Sequence, residues 1–251
     1  MDIIDALILI AAGFFTGFIN TVAGGGSLIS LPVLIFMGLP VPVANATNRV
    51  ALFSQNIFGI AGFKSKGISA FPYSLYLGLS ALVGAAIGAE LSVELPEELF
   101  KRIIAIIMVL VVLSTVFNPV KTGALVERLG KKHTIYGLIT FFFIGIYGGF
   151  IQVGVGFVIM AALTHINHFS LVKTNSAKVF IVLVYTVSAL VVFIIEDMIN
   201  WYYGLVLAIG NSAGAWIASR YSVKKGDKWI KRFLLVMACI LAIKLWFFDT
   251  V

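Results

Sequence analysis

Residues 20–32 read N-T-V-A-G-G-G-S-L-I-S-L-P, placing three consecutive glycines, Gly24, Gly25 and Gly26, inside the first long apolar stretch of a 251-residue chain. Glycine in a helix interior costs about 1 kcal/mol relative to alanine, so three together predict a helix end. The backbone amides and carbonyls released there need partners in apolar surroundings. After the break only a short apolar segment, 27–38, follows before the next breakers. At about 1.5 Å per residue it reaches roughly 18 Å, well short of a hydrocarbon core of about 30 Å. The stretch therefore predicts a helix interrupted within a membrane.

Composition points the same way. The chain is 61% hydrophobic and 12% charged, whereas a soluble domain carries about 25% charged residues. No Asp, Glu, Lys or Arg occurs from Ala6 to Asn48, and none from Thr134 to Val172. Uncharged apolar runs of 18 or more residues are read as membrane-spanning helices. The fold class is therefore all-α, a polytopic transmembrane helical bundle. The net charge of +7 resides in short loops between apolar segments, the distribution of cytoplasmic loops rather than of a nucleic-acid-binding face. The opening M-D-I-I-D has no basic leader and no small-residue cleavage site, which predicts no removable signal peptide. The single cysteine, Cys239, lies in the last apolar segment and is expected to be a small core hydrophobe.

Ten apolar segments can be counted, at 3–22, 27–38, 43–62, 71–91 and 98–117 and then at 134–151, 155–166, 171–194, 199–219 and 229–248. The two short ones, 27–38 and 155–166, each follow a glycine-rich break and each come second in their half. A-N-A-T-N-R-V at 44–50 aligns with K-T-N-S-A-K-V at 173–179, pairing Arg49 with Lys178. G-L-S-A-L-V-G-A-A-I-G at 78–88 aligns with G-L-V-L-A-I-G-N-S-A-G at 204–214, and K-R-I at 101–103 with K-R-F at 231–233. The pattern predicts two repeats, 1–120 and 134–251, joined by a cytoplasmic linker at 121–133. Lys64, Lys66, Lys121, Arg128, Lys131, Lys132, Arg220, Lys224, Lys225 and Lys228 mark cytoplasmic loops, while those with Glu94, Glu97, Glu98, Glu196 and Asp197 face outward. An odd number of segments per half then gives an inverted-topology repeat, the plan of many secondary transporters. That parity holds only if the short segments cross the membrane instead of re-entering it.

Between Ala6 and Phe63 the only charged residue is Arg49, and between Thr134 and Ile195 the only ones are Lys173 and Lys178. Ionisable groups inside a membrane are costly and mark a site by default. Asn20, Asn45, Thr47 and Asn48 in one half, with Gln152, Asn175 and Ser176 in the other, add neutral hydrogen-bonding groups. The breaks A-G-G-G-S and Q-V-G-V-G, with Gly154 and Gly156 in the second, open short helices whose N–H groups and dipoles suit an anion. Ser27 is placed to cap the first of them. Together these residues describe a pocket for a small oxyanion, with no metal and no cofactor.

Plainer readings stand beside this one. Gly84/Gly88 and Gly210/Gly214 are small-xxx-small pairs better suited to helix packing. A lone Arg49 could snorkel to an interface, and Lys173, which has no cationic counterpart in the first half, is balanced between snorkelling and function. His165 and His168 suit an interface better than a proton relay. Trp201, Tyr202, Tyr203 and Trp246 suit aromatic belts.

The run G-F-F-T-G-F-I-N-T-V-A-G-G-G-S with L-P-V-L and A-N-A-T-N-R-V-A, and the weaker Q-V-G-V-G and T-N-S-A-K of the second half, resemble the TauE/SafE sulfite exporter family of membrane permeases. The second-half glycines depart from the commoner glycine-threonine form. The resemblance implies a non-enzymatic permease of the bacterial cytoplasmic membrane for sulfite, thiosulfate, sulfoacetate or related organosulfur anions, leaving proton coupling and oligomeric state open. The competing readings are a membrane-embedded enzyme acting on lipid phosphates, which would need carboxylate or His/Asp clusters not found here, and a non-transporting subunit.

Overall fold

The computed structural model describes residues 2–96, 98–100, 102, 103, 106 and 126–248, with side chains described as far as Leu234 and at Val236. Most of the fifth apolar stretch, Glu97, Lys101, Lys121 and the side chains of Cys239 and Trp246 lie outside the described residues. Every regular element among the described residues is a helix: α1 (Ile3–Val22), α2 (Ser27–Phe36), α3 (Val41–Lys64), α4 (Tyr73–Glu94), α5 (Lys131–Phe150), α6 (Val155–Ile166), α7 (Leu171–Ile195) and α8 (Trp201–Phe248). The ninth and tenth apolar stretches are two helices that meet at a kink at Gly226, whose φ of 71° is non-helical, and they are numbered together as α8. The two short segments are found where the glycine breaks placed them.

Four helices, α1, α4, α5 and α7, are long and apolar enough to cross a membrane. Their outer faces confirm which solvent they meet: Phe15, Val83, Ile87, Phe143 and Val191 are all exposed. The polar groups of α3 point the other way, with Asn45, Asn48, Arg49, Gln55 and Asn56 buried. Large apolar side chains exposed on the outer faces, with charged and amide groups of α3 turned into the bundle, are the arrangement of a protein surrounded by lipid. This is a multi-pass membrane protein.

Helices of the two halves of the chain pack on each other through glycine. In α8, a Cβ on Gly210 would lie 2.0 Å from the Ile10 carbonyl oxygen, and one on Gly214 2.1 Å from that of Phe14. Gly13 and Gly17 of α1 return the contact against Leu207 and Asn211. The α4–α5 pair repeats this design. A Cβ on Gly84 or Gly88 would strike the carbonyl of Phe142 or Ile146, and one on Gly145 or Gly149 that of Ala81 or Ala85. Gly84/Gly88 and Gly210/Gly214 are therefore packing glycines, which let two backbones approach directly. Replacing Gly149 by valine, whose Cβ would begin 2.1 Å from the Ala85 oxygen, is expected to cost about 2–3 kcal/mol. Thermal melting in detergent measures it, with Gly130→Ala, where a Cβ meets nothing within 4 Å, as the silent control.

These contacts also fix helix direction. Ile10 meets Gly210 and Phe14 meets Gly214, so α1 and α8 run parallel. Val50 meets Gly204 and Ser54 meets Ser212, so α3 shares that direction. Leu77 meets Gly137 and Ala85 meets Gly149, so α4 and α5 are parallel, and α7 joins them through Gly78–Val184 and Ser188–Leu82. Arg49 lies by Phe193 while Gly59 lies by Val179, so α3 and α7 are antiparallel. Helices α1 and α3 therefore oppose α5 and α7.

Candidate functional site

Helix α3 starts with Pro42 in its first turn, where a missing N–H is harmless. One turn later it places Asn45 and Arg49 four residues apart on one face. That face meets the C-terminal end of α5, whose last carbonyls have no intrahelical donor. The Arg49 Nη1 donates to the Gly148 carbonyl and to Gln152 Oε1 (2.7 Å), and Nη2 donates to the Gly149 carbonyl (2.9 Å) and Asn45 Oδ1 (3.5 Å). Asn45 Nδ2 donates to the Phe150 carbonyl at 3.1 Å. Gln152 Oε1 accepts a second bond, from the Tyr185 hydroxyl at 2.9 Å. The guanidinium lies 5.7 Å from the Phe193 ring centroid, a cation–π contact. The negative end of the α5 dipole thus faces a cation.

Lys178 repeats the arrangement on α7. Its Nζ donates to the Thr21 carbonyl (3.0 Å) and to Asn175 Oδ1 (2.7 Å), with Met160 Sδ at 3.9 Å. Asn175 Nδ2 donates to the Val22 carbonyl at 2.9 Å. A cation and an amide from the third helix of one half thus hold the C-terminus of the first helix of the other half. Arg49 is 0% and Lys178 2% exposed. The only ion pair between described residues is Lys173–Glu127, so among them no carboxylate accompanies either buried cation.

The glycine breaks meet in space. A Cβ on Gly24 would lie 2.4 Å from Gly156 Cα, and one on Gly156 2.2 Å from Gly24 Cα. Gly24 (φ 90°) and Gly154 (φ 72°) adopt the left-handed conformation that turns the chain into α2 and α6. Gly25 abuts the Phe157 ring, and Gly26 abuts Asn20 and the Thr16 carbonyl. Two short helices therefore begin back to back beside Arg49 and Lys178. Ser27 does not cap α2, contrary to expectation. The helix starts at Ser27 itself, with Gly26 already at αR dihedrals in the cap position, so the hydroxyl sits one residue past the position from which a cap side chain accepts the amides of the first turn. It instead accepts from Asn48 Nδ2 at 3.4 Å. Asn48 Oδ1 and Arg49 Nε are buried without a partner in the described structure.

Comparison with known sequences adds the last observation. The sequence profile described as "Sulfite exporter TauE/SafE" matches residues 9–245. The chain belongs to the TauE/SafE family. A "Probable membrane transporter protein ORF9" of a Sinorhizobium species is 28% identical, over 94% of this chain and 90% of its own length. A "Probable membrane transporter protein" of Haemophilus influenzae is 26% identical, over 98% of this chain and 96% of its own. "Probable membrane transporter protein YfcA" of Escherichia coli K12 is 25% identical, over 95% and 88% respectively. No solved structure matches.

Within this TauE/SafE chain, some of the expected residues stand apart. Lys173 projects from the first turn of α7 into a loop, paired with Glu127 at 2.6 Å and lying over the Phe169 ring. Thr47 Oγ1 accepts from the Asn200 amide at 3.0 Å, and Ser176 donates to the Ile68 carbonyl at 3.4 Å. Both thus hold neighbouring chain segments. His165 is exposed and His168 half-buried. Two contributors escaped sequence reading. Tyr185, fully buried, shares Gln152 with Arg49, and Asp227 accepts from the Leu171 and Val172 amides (2.9 and 3.0 Å), capping α7 beside Ser170. The aspartate after a glycine in K-G-D-K was the available signal for the second.

Proposed function

We propose that this TauE/SafE transporter carries small sulfur-containing oxyanions, such as sulfite, thiosulfate or organosulfonates, by alternating access between two inverted repeats, 1–120 and 134–251, linked at 121–133. One observation carries the proposal: two cations buried to 0% and 2% exposure, with carbonyls and amides around them and no carboxylate partner among the described residues. A buried charge without a counter-ion is strongly destabilised, and a small anion is the partner that relieves it. Arg49 and Lys178 would neutralise the anion after releasing the carbonyls they hold. Gly24, Gly25, Gly26, Gly154 and Gly156 would supply backbone donors, and Asn20, Ser27, Asn45, Asn48, Gln152 and Asn175 side-chain bonds. Thr47 and Ser176 would support the two helices that carry the cations, and Lys173 would act outside this inner set.

The inverted arrangement is supported by the opposed directions of α1 and α3 relative to α5 and α7. It is also supported by the matching capping of α5 by Arg49 and of α1 by Lys178. The bacterial cytoplasmic membrane is the expected location, since the relatives named above are bacterial. In a cell negative inside, about 2.3 kcal/mol per charge per 100 mV favours anion exit, so export is the natural direction.

Thermal shift of the detergent-purified protein against sulfite, thiosulfate, sulfoacetate, sulfate, chloride and acetate tests the proposal. At 100 times its Kd a specific ligand adds about 2.7 kcal/mol. Stabilisation confined to one or two sulfur oxyanions is expected. No response to any of them would remove the physical basis of the assignment.

A further inference from the structure

The contact of Gly62 with Ser219 brings the end of α3 against the middle of α8. Beside it lies an open cavity of about 480 Å³ lined by Lys66, Trp216, Ile217, Arg220, Tyr221, Val223 and Lys224. Three of these seven residues are cations and none is acidic. The Arg220 guanidinium lies 5.2 Å from the Trp216 ring centroid, and Lys225, next in sequence, lies 5.5 Å from that of Tyr221. Stacking on an aromatic face fixes a guanidinium plane while leaving its N–H fork available. Among the described residues no side-chain hydrogen bond or carboxylate engages the charged ends of Lys66, Arg220 or Lys224.

The walls of the cavity explain what such a cluster would hold. Ile217 is 47% exposed, continuing the apolar outer face of α8 up to the charged rim. A ligand seated here meets cations at one end and lipid-facing hydrocarbon at the other. A free inorganic anion matches only the first half of that surface. We infer that this cavity binds the headgroup of an anionic phospholipid, its phosphodiester on Arg220, Lys66 and Lys224 and its glycerol and acyl portion along Ile217 and Val223. Basic clefts at the cytoplasmic ends of transmembrane helices are suited to such lipids, and the basic loops put this end of the bundle on that side. The site is separate from the buried Arg49 and Lys178 and does not depend on which anion is carried.

Native mass spectrometry of the full chain, released from detergent after incubation with phosphatidylglycerol or phosphatidylcholine of matched acyl chains, tests this. Phosphatidylglycerol adducts are expected to exceed phosphatidylcholine adducts by about tenfold on the unaltered protein. They should fall to the phosphatidylcholine level in the triple variant Lys66→Gln, Arg220→Gln, Lys224→Gln, and survive in Arg220→Lys, which keeps the charge. Millimolar inorganic phosphate should not displace them. If the triple variant does not fold, Lys66→Gln and Lys224→Gln, both at exposed positions, should each lower binding. Equal retention of the two lipids, undiminished binding in the variants, or displacement by inorganic phosphate would each overturn the assignment.

Discussion

Replacing Gly24 by alanine is expected to lower stability by about 3 kcal/mol or more, from two causes that can be separated. The added Cβ would sit 2.4 Å from the Gly156 backbone and 2.8 Å from the Phe157 nitrogen, in the crossing of the two short-helix turns. Backbone cannot step aside as a flexible side chain can, so α2 and α6 must move apart. The φ of 90° adds the strain of a left-handed conformation for a residue with a Cβ. Gly38 isolates that second cause. Its φ is 91°, but a Cβ there meets nothing within 4 Å, so Gly38→Ala should cost about 1–2 kcal/mol only. Melting curves of the two variants in one detergent measure the difference. Equal losses would mean that the Gly24–Gly156 crossing is not a close backbone contact in the folded protein.

Arg49→Gln is expected to slow anion transport in liposomes by about 100-fold or more, equivalent to about 2.7 kcal/mol of lost interaction. Stability should change far less, because two consequences oppose each other. The Gly148 and Gly149 carbonyls and Gln152 lose their charged donor, which destabilises the end of α5. At the same time a buried charge with no carboxylate partner disappears, which relieves desolvation. Together these should leave melting within about 2 kcal/mol of the parent protein. Monodisperse protein with lost transport is the predicted outcome. Transport at the parental rate would remove Arg49 from the anion site and leave it as a cap on α5.

The breaks were legible because glycine triplets and dozen-residue apolar segments report local chain properties. Arg49 was legible because it stands at the end of an uncharged run that begins at Ala6, and Lys178 because only Lys173 shares the otherwise uncharged stretch from Thr134 to Ile195. The partners of those cations were not legible. Arg49 binds carbonyls about 100 residues away and Lys178 a carbonyl 157 residues away, and a carbonyl carries no signature in sequence. Reading the two cations as free to meet a ligand therefore missed that each already serves a helix end. Ser27 failed as a cap because a shift of one residue in the helix start changes which atom it reaches. Lys173 lies five residues before Lys178, which turns it out of the interior and towards Glu127. Asp227 caps α7 from beyond the kink at Gly226, a contact set by tertiary folding rather than by spacing.

The exchange of packing partners between halves has a consequence for biogenesis. Helix α1 rests on the glycine face of α8, and the residues that close the contact, Gly210 and Gly214, are made about 190 residues after it. At ribosomal rates of about 5–20 residues per second, that interval is about 10–40 s. Throughout it α1 must wait in the bilayer with its small-residue stripe covered only by lipid, and its C-terminal carbonyls wait similarly for Lys178. A nascent chain stalled midway would hold α4 without α5 and α1 without α8. The first half cannot mature as an independent domain, and quality control has a long window in which to see an unpaired helix.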